Sequence, residues 1–322
     1  MWFLLAAASA ISFGLRGILY QWTSQRPIKR NILLMGVYLS GTLITLAANG
    51  VIGQVWTFPV LVGIWMGLFS FISNAAMYKG FSVGKASVVA IFLGLPPVVV
   101  ALLAYVIWGE SLNIWQLCAF LFIVIGILLI RYSNDLSLSN LKGAGWGILT
   151  MLFFAFTDLL SKKATLIEAA TLPTLTLMYA TGMLLFGLSW FLEPYLEARA
   201  RAKASKVTKD QVAAAVQVGT IEGNNATTAA VEVPKPTKPT FWPVRKTLIW
   251  GLIVGLTNVA GMLFVMPAYK LGVTGLVSAI SAMNVVLVLV YARFGLKEKF
   301  SRLEVIGLGC TFIGIIVIRL SA

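Results

Sequence analysis

Apolar residues in this 322-residue chain come in long continuous blocks separated by short polar stretches, rather than in alternation or on single helix faces. Ten such blocks lie near 2–22, 32–52, 58–78, 88–108, 114–130, 145–160, 172–191, 248–268, 276–294 and 303–320. A helix crosses a hydrocarbon core of about 30 Å with roughly 20 residues at about 1.5 Å each, and the blocks are close to that length. A membrane β-barrel would show short alternating segments, which the unbroken run Val98-Val99-Val100-Ala101-Leu102-Leu103 contradicts. The pattern predicts an all-α integral membrane protein of ten transmembrane helices.

The blocks repeat. Shifted by 188 positions, residues 63–131 align with 251–319 without a gap, and 14 of the 69 positions are identical. Matched Val and Ile carry little weight in apolar sequence. Gly63 with Gly251, Gly67 with Gly255, Gly84 with Gly272, Glu110 with Glu298, Gly126 with Gly314 and Arg131 with Arg319 share one register and carry the signal. Five spans per half is an odd number, so the second copy is reversed relative to the membrane and the fold is two inverted five-helix repeats. Residues 1–131 form the first repeat, 132–192 open the second with helices six and seven, 193–246 form a basic polar linker, and 247–322 complete the second repeat.

Composition agrees: 59% of residues are hydrophobic and 11% charged, too little polar surface to coat a globule in water. The net charge of +14 falls in the connections between helices, which points to anionic headgroups of membrane lipid and to topology, not to nucleic acid. Arg26, Lys29, Arg30, Lys79, Lys85, Arg131, Lys142, Arg293, Lys297, Lys299 and Arg302 share one side, against Lys162, Lys163 and Lys270 on the other. Eleven against three predicts a multi-pass protein of the cell membrane with both termini non-cytoplasmic. The linker is then cytoplasmic, helical at first and spaced by Pro234, Pro236 and Pro239 later, and the glycosylation match Asn225-Ala226-Thr227 is idle there. Ala6 to Ala10 have the small residues of a signal-peptide end, but no basic segment precedes them and the apolar run continues to Trp22, so a retained first helix is expected. Cys118 and Cys310 sit singly in apolar helices and the chain has no His, so neither disulfides, metal nor cofactor are implied.

Residues 74–131 read Asn74-Ala-Ala-Met-Tyr-Lys-Gly, Gly84-Lys-Ala-Ser-Val-Val, Leu95-Pro-Pro, Trp108-Gly-Glu-Ser-Leu, Gln116 and Gly126-Ile-Leu-Leu-Ile. The second copy has Gly272-Val-Thr-Gly-Leu-Val-Ser, Leu296-Lys-Glu-Lys-Phe, Glu304, and Gly307 to Gly314. This resembles the EamA repeat of the drug/metabolite transporter superfamily in both halves, the linker excepted. The resemblance implies a central cavity lined by the first, third, fourth, sixth, eighth and ninth spans, with the fifth and tenth at the periphery. It also implies transport of amino acids, sugars, nucleotide-linked sugars, phosphorylated metabolites or drugs. Two departures stand out. Many bacterial members place both termini in the cytoplasm, opposite to the charge bias here. The second copy has Asn284-Val285 where the first has Pro96-Pro97, so a helix break is expected mostly in the first half.

Ionisable groups inside a bilayer are costly and usually face a protein interior or a water-filled path. Arg16 in the first span and Asp158 in the sixth occupy nearly equivalent repeat positions, so inversion would bring them to similar depth, where they pair or bind substrate charge. Snorkelling to a helix end is the competing explanation. Asn74, Tyr78, Asn258, Ser278, Ser281 and Asn284 supply further polar groups on cavity-side helices, as substrate contacts or as interhelical hydrogen bonds. Pro96 frees backbone carbonyls in the fourth span. Gly63, Gly67, Gly251 and Gly255 read as packing, and Glu110 and Glu298 as loop caps or inter-loop pairs.

These features point to a secondary-active or exchange transporter of small polar or amphipathic metabolites, working by alternating access. A Gly-x-x-x-x-Gly-Lys-Ser/Thr nucleotide loop is absent, and an enzyme would need clustered His or carboxylates that the chain lacks. A non-transporting receptor or assembly protein is the alternative. The expected partners are a small-molecule substrate and membrane lipid, with a homodimer left open.

Overall fold

The computed structural model describes residues 1–83, 86–132, 143–217, 241–295 and 301–321. Lys85, Lys142, Lys297, Glu298, Lys299 and the Asn225-Ala226-Thr227 match lie outside them. Among the described residues ten helical spans are long and apolar enough to cross a membrane. They are built from α1 (Trp2–Ser24), α2 (Arg30–Ile52), a short 3-10 turn Phe58–Leu61 leading into α3 (Val62–Val83), α4 (Ala86–Phe92), α5 (Pro96–Trp108), α6 (Ile114–Arg131), α7 (Ala144–Leu166), α8 (Thr171–Gln217), α9 (Val244–Leu271), α10 (Thr274–Ala282), α11 (Asn284–Gly295) and α12 (Arg302–Ser321). The fourth span is α4 with α5, and the ninth is α10 with α11. Large apolar side chains such as Leu4, Ile11, Val106, Leu184 and Ile316 face outward, as lipid contact requires.

Chain ends of the helices follow local chemistry. Gly53 and Gly109 take left-handed backbone angles, φ 74° and 66°, and stop α2 and α5. Asn113 and Gln116 form a reciprocal capping box at the start of α6, and Ser301 and Glu304 form the same box at the start of α12. Those pairs lie 188 positions apart, so the repeat extends to cap chemistry even where the residues differ.

The principal helix packings correspond when the halves are exchanged. The first span packs on the eighth and the third on the sixth; the second packs on the eighth and the third on the seventh; the second and seventh, and the fifth and tenth, pair across the pseudo-axis. Glycine seams repeat with the helices. A Cβ on Gly63 or Gly67 would overlap the Thr174 or Met178 carbonyl oxygen of α8, and one on Gly251 or Gly255 the Leu33 or Val37 carbonyl oxygen of α2. The peripheral pair is sealed likewise, Gly126 lying against Gly307 and Gly314 against Ala119.

Two expectations need correction. The ninth span breaks at Met283 as the fourth breaks at Leu95, the equivalent position, although it lacks proline. Asn284 supplies the reason, because its side-chain amide donates to the Ser281 carbonyl oxygen at 3.0 Å and so satisfies a group that the break frees. The 193–246 segment starts as a continuation of α8, which runs through Pro194 to Gln217, in keeping with a helical beginning. The sixth span, expected to end near residue 160, continues to Leu166, because the Ser161 and Lys162 that lower its hydropathy point into the protein.

Candidate functional site

Two polar clusters lie inside the helix bundle. The first centres on Arg16, eight residues before the end of α1 and so about 12 Å from it along the axis. Its Nη1 donates to the Asn258 side-chain oxygen of α9 at 2.5 Å, and its guanidinium lies over the Phe13 ring. Tyr38 of α2 packs edge-on against Tyr179 of α8, ring centroids 5.9 Å apart. Asn74 donates to the Ser70 carbonyl oxygen at 2.7 Å and to the Tyr38 hydroxyl at 3.4 Å, and Tyr38 shares a short hydrogen bond with the Ser70 hydroxyl. Among the described residues the buried Tyr179 hydroxyl has no hydrogen-bond partner.

A cavity of about 130 Å³ opens at the end of the bundle where α1 turns into α2, with Tyr20 and Tyr78 between it and this cluster. Tyr20 and Tyr78 line its inner part, each one helical turn beyond Arg16 and Asn74 respectively, and Arg26, Arg30 and Phe241 line its mouth. The Arg30 guanidinium stacks over the Tyr78 ring at 5.1 Å.

The second cluster centres on Asp158, whose Oδ2 accepts from the Ser278 hydroxyl at 2.7 Å. Arg16 and Asp158 do not pair. Each lies eight residues before the end of its helix, but the repeat inversion runs α1 and α7 in opposite directions, and their side chains take different partners, Asn258 and Ser278. The charges expected to align thus sit in separate clusters. Ser281 shares a hydrogen bond with Ser9 of α1 at 2.8 Å, Asn284 holds the ninth-span break, and buried Pro96 opens α5 at the fourth-span break.

The opposite end of the bundle is tied shut. Lys162 Nζ lies 2.9 Å from Glu110 Oε1 and donates to the Tyr269 and Gly272 carbonyl oxygens at 3.0 and 3.3 Å. Glu110 also accepts from the Thr274 backbone N–H at 2.7 Å and its hydroxyl at 3.0 Å, so it caps α10. One carboxylate therefore joins the loop after the fourth span, the sixth span and the start of the ninth. Lys162, counted above as a loop cation, is instead buried, its side chain 9% exposed.

Of the residues singled out from sequence, Arg16, Asn74, Tyr78 and Asn258 belong to the first cluster, and Asp158 and Ser278 to the second. Tyr20, Tyr38, Ser70, Tyr179 and Lys162 were missed. Tyr38 and Tyr179 come from the second and seventh spans, outside the set of cavity helices that the resemblance implied. Ser70 had one available signal, its alignment with Asn258 in the repeat.

The EamA-like transporter family matches residues 1–132 and 229–320 of the chain. The Uncharacterized transporter YxxF of Bacillus subtilis (strain 168) is 32% identical over 106 residues, 32% of this chain. That match spans about a third of the relative's own length, 34%. A solved structure described as "Crystal structure of protein" superposes with a TM-score of 0.72 over 100% of this chain and 99% of its own, at 14% identity, which shows a shared fold.

Proposed function

The chain belongs to the EamA-like transporter family, and on that basis we propose that it moves a small polar or amphipathic metabolite by alternating access about the Arg16–Asn258–Asn74 cluster. Its ten helices long and apolar enough to cross a membrane, among the described residues, and its family support a multi-pass transporter. The observation that carries the mechanism is the asymmetry along the membrane normal. A cavity enters from one end as far as Tyr20 and Tyr78, one helical turn from Arg16 and Asn74, while the Glu110–Lys162–Thr274 network ties the other end. A cavity at one end and a cross-linking polar network at the other, in a fold built of two repeats, is an arrangement that alternating access can use.

The loop charges orient the open end toward the cytoplasm, with both termini on the far side. Asp158 is the group through which a proton would couple, since it is a carboxyl within the sixth span bonded to the ninth. Reconstituted protein should exchange a subset of a broad metabolite panel by counterflow, and Asn74→Ala and Asn258→Ala should each abolish that exchange while leaving the purified protein monodisperse. Asp158→Asn should keep counterflow and lose any dependence of net uptake on a pH gradient. Unaltered pH-driven uptake in that variant removes the coupling role, and no exchange of any compound favours a receptor or assembly function.

A further inference from the structure

Charge balance at the central cluster narrows what it can hold. A guanidinium about 12 Å along a membrane span from the helix end is costly unless something compensates it. Among the described residues no carboxylate lies within ion-pair distance of Arg16; its hydrogen-bond acceptor is the neutral amide of Asn258. Lys162 at the closed end shows the contrast, with its own carboxylate and two carbonyls. One bond to Asn258 leaves most of the five guanidinium N–H donors for a ligand. The buried, unpartnered Tyr179 hydroxyl offers another donor in the same neighbourhood. Arg26 and Arg30 at the cavity mouth make the approach positive, which draws in anions.

We infer that the central site binds the carboxylate of a small organic acid, gripped by the free edge of the Arg16 guanidinium. The inference rests on the transport-site reading above. A carboxylate matches the planar fork of arginine two bonds to two, and its single charge balances the single cation. A phosphate monoester, near two negative charges, would leave the site anionic inside the membrane.

The test uses the purified full chain, with thermal stability followed against hexanoate and 3-phenylpropanoate, the primary amides of both acids, the corresponding amines, and phenyl phosphate. The acids should stabilise saturably, and the amides and amines should not. Arg16→Gln should weaken acid binding by about 100-fold, the scale of losing one partner of a buried charge pair, and Arg16→Lys should fall between. Asn258→Asp gives Arg16 a permanent carboxylate of nearly the same shape, so it should fold, gain stability without ligand and lose acid binding. That variant keeps the proposal testable even where Arg16→Gln fails to fold.

Equal stabilisation by amides or amines, a preference for phenyl phosphate, or intact acid binding in Asn258→Asp would each overturn the assignment. If neutral compounds bind and Asn74→Ala abolishes it, the transport site survives and only its charge class falls. If no acid stabilises, the carboxylate assignment is overturned; if counterflow of a broad metabolite panel also fails, the site reading falls with it.

Discussion

Glu110 and Lys162 meet with their side chains 18% and 9% exposed, in a place where neither charge has much water. Such a pair adds little net stability, because desolvation offsets attraction, but removing one partner strands the other and costs roughly 3–5 kcal/mol. Lys162 keeps two carbonyl acceptors without Glu110, and Glu110 keeps Thr274 without Lys162, so both single changes should fall toward the lower part of that range. The double variant Glu110→Gln with Lys162→Met should melt above either single variant in detergent. A double variant that melts at the sum of the single losses would show that the two residues do not act as a pair. Glu110 was read as a cap or inter-loop pair, but its Lys162 partner and the buried Tyr38 and Tyr179 were not readable beforehand, for one reason. Hydropathy ranks Lys162 as a loop residue and Tyr38 and Tyr179 as neutral filler, while their roles depend on which helix stands opposite, and periodicity within one helix does not carry that. Arg16 and Asp158 were readable because a charge in an apolar block is conspicuous wherever it points.

At the level of helices the repeat was the informative signal, since it compares each element with a partner built to the same plan. Asn113-x-x-Gln116 and Ser301-x-x-Glu304 are different residues performing one task at one register. Asn113→Ala should cost about 1 kcal/mol, the usual value for a lost N-cap. The breaks at Leu95 and Met283 fall at one register by different means, for proline removes a backbone donor in one half and the Asn284 amide satisfies a freed carbonyl in the other. Identity of residue was the wrong test for a break; an available partner for the freed carbonyl was the right one. Glycine spacing was correctly legible because it has one physical meaning, that backbones touch. Gly255→Leu must displace Val37 and Ser40 of α2, so it should abolish the monodisperse species on size exclusion. Leucine at Gly50, where a Cβ meets nothing within 4 Å, should be tolerated.

For the molecule as a whole, the exchange symmetry of the packing has a consequence that neither end shows by itself. Spans one to five relate to spans six to ten by reversal, so a state open toward the α1–α2 turn implies a second state of similar packing open at the Glu110 end. The two differ in which seam is tied, and only the Glu110 end carries a buried ion pair in its seam among the described residues. Weakening that tie, besides its cost to overall stability, should shift the population toward the other state. Single cysteines at Tyr20 and at Gly272, introduced with Cys118 and Cys310 replaced by serine, report the two paths to a membrane-impermeant maleimide. In sealed vesicles of known orientation Tyr20→Cys should label from the side bearing Arg26 and Arg30, and Gly272→Cys only slowly from the other. Adding Glu110→Gln should speed labelling at Gly272→Cys and slow it at Tyr20→Cys together. Faster labelling at the first with none lost at the second would mean that the network only seals a loop and that the two ends are not linked. The side from which Tyr20→Cys reacts also fixes the orientation, independently of any loop charge.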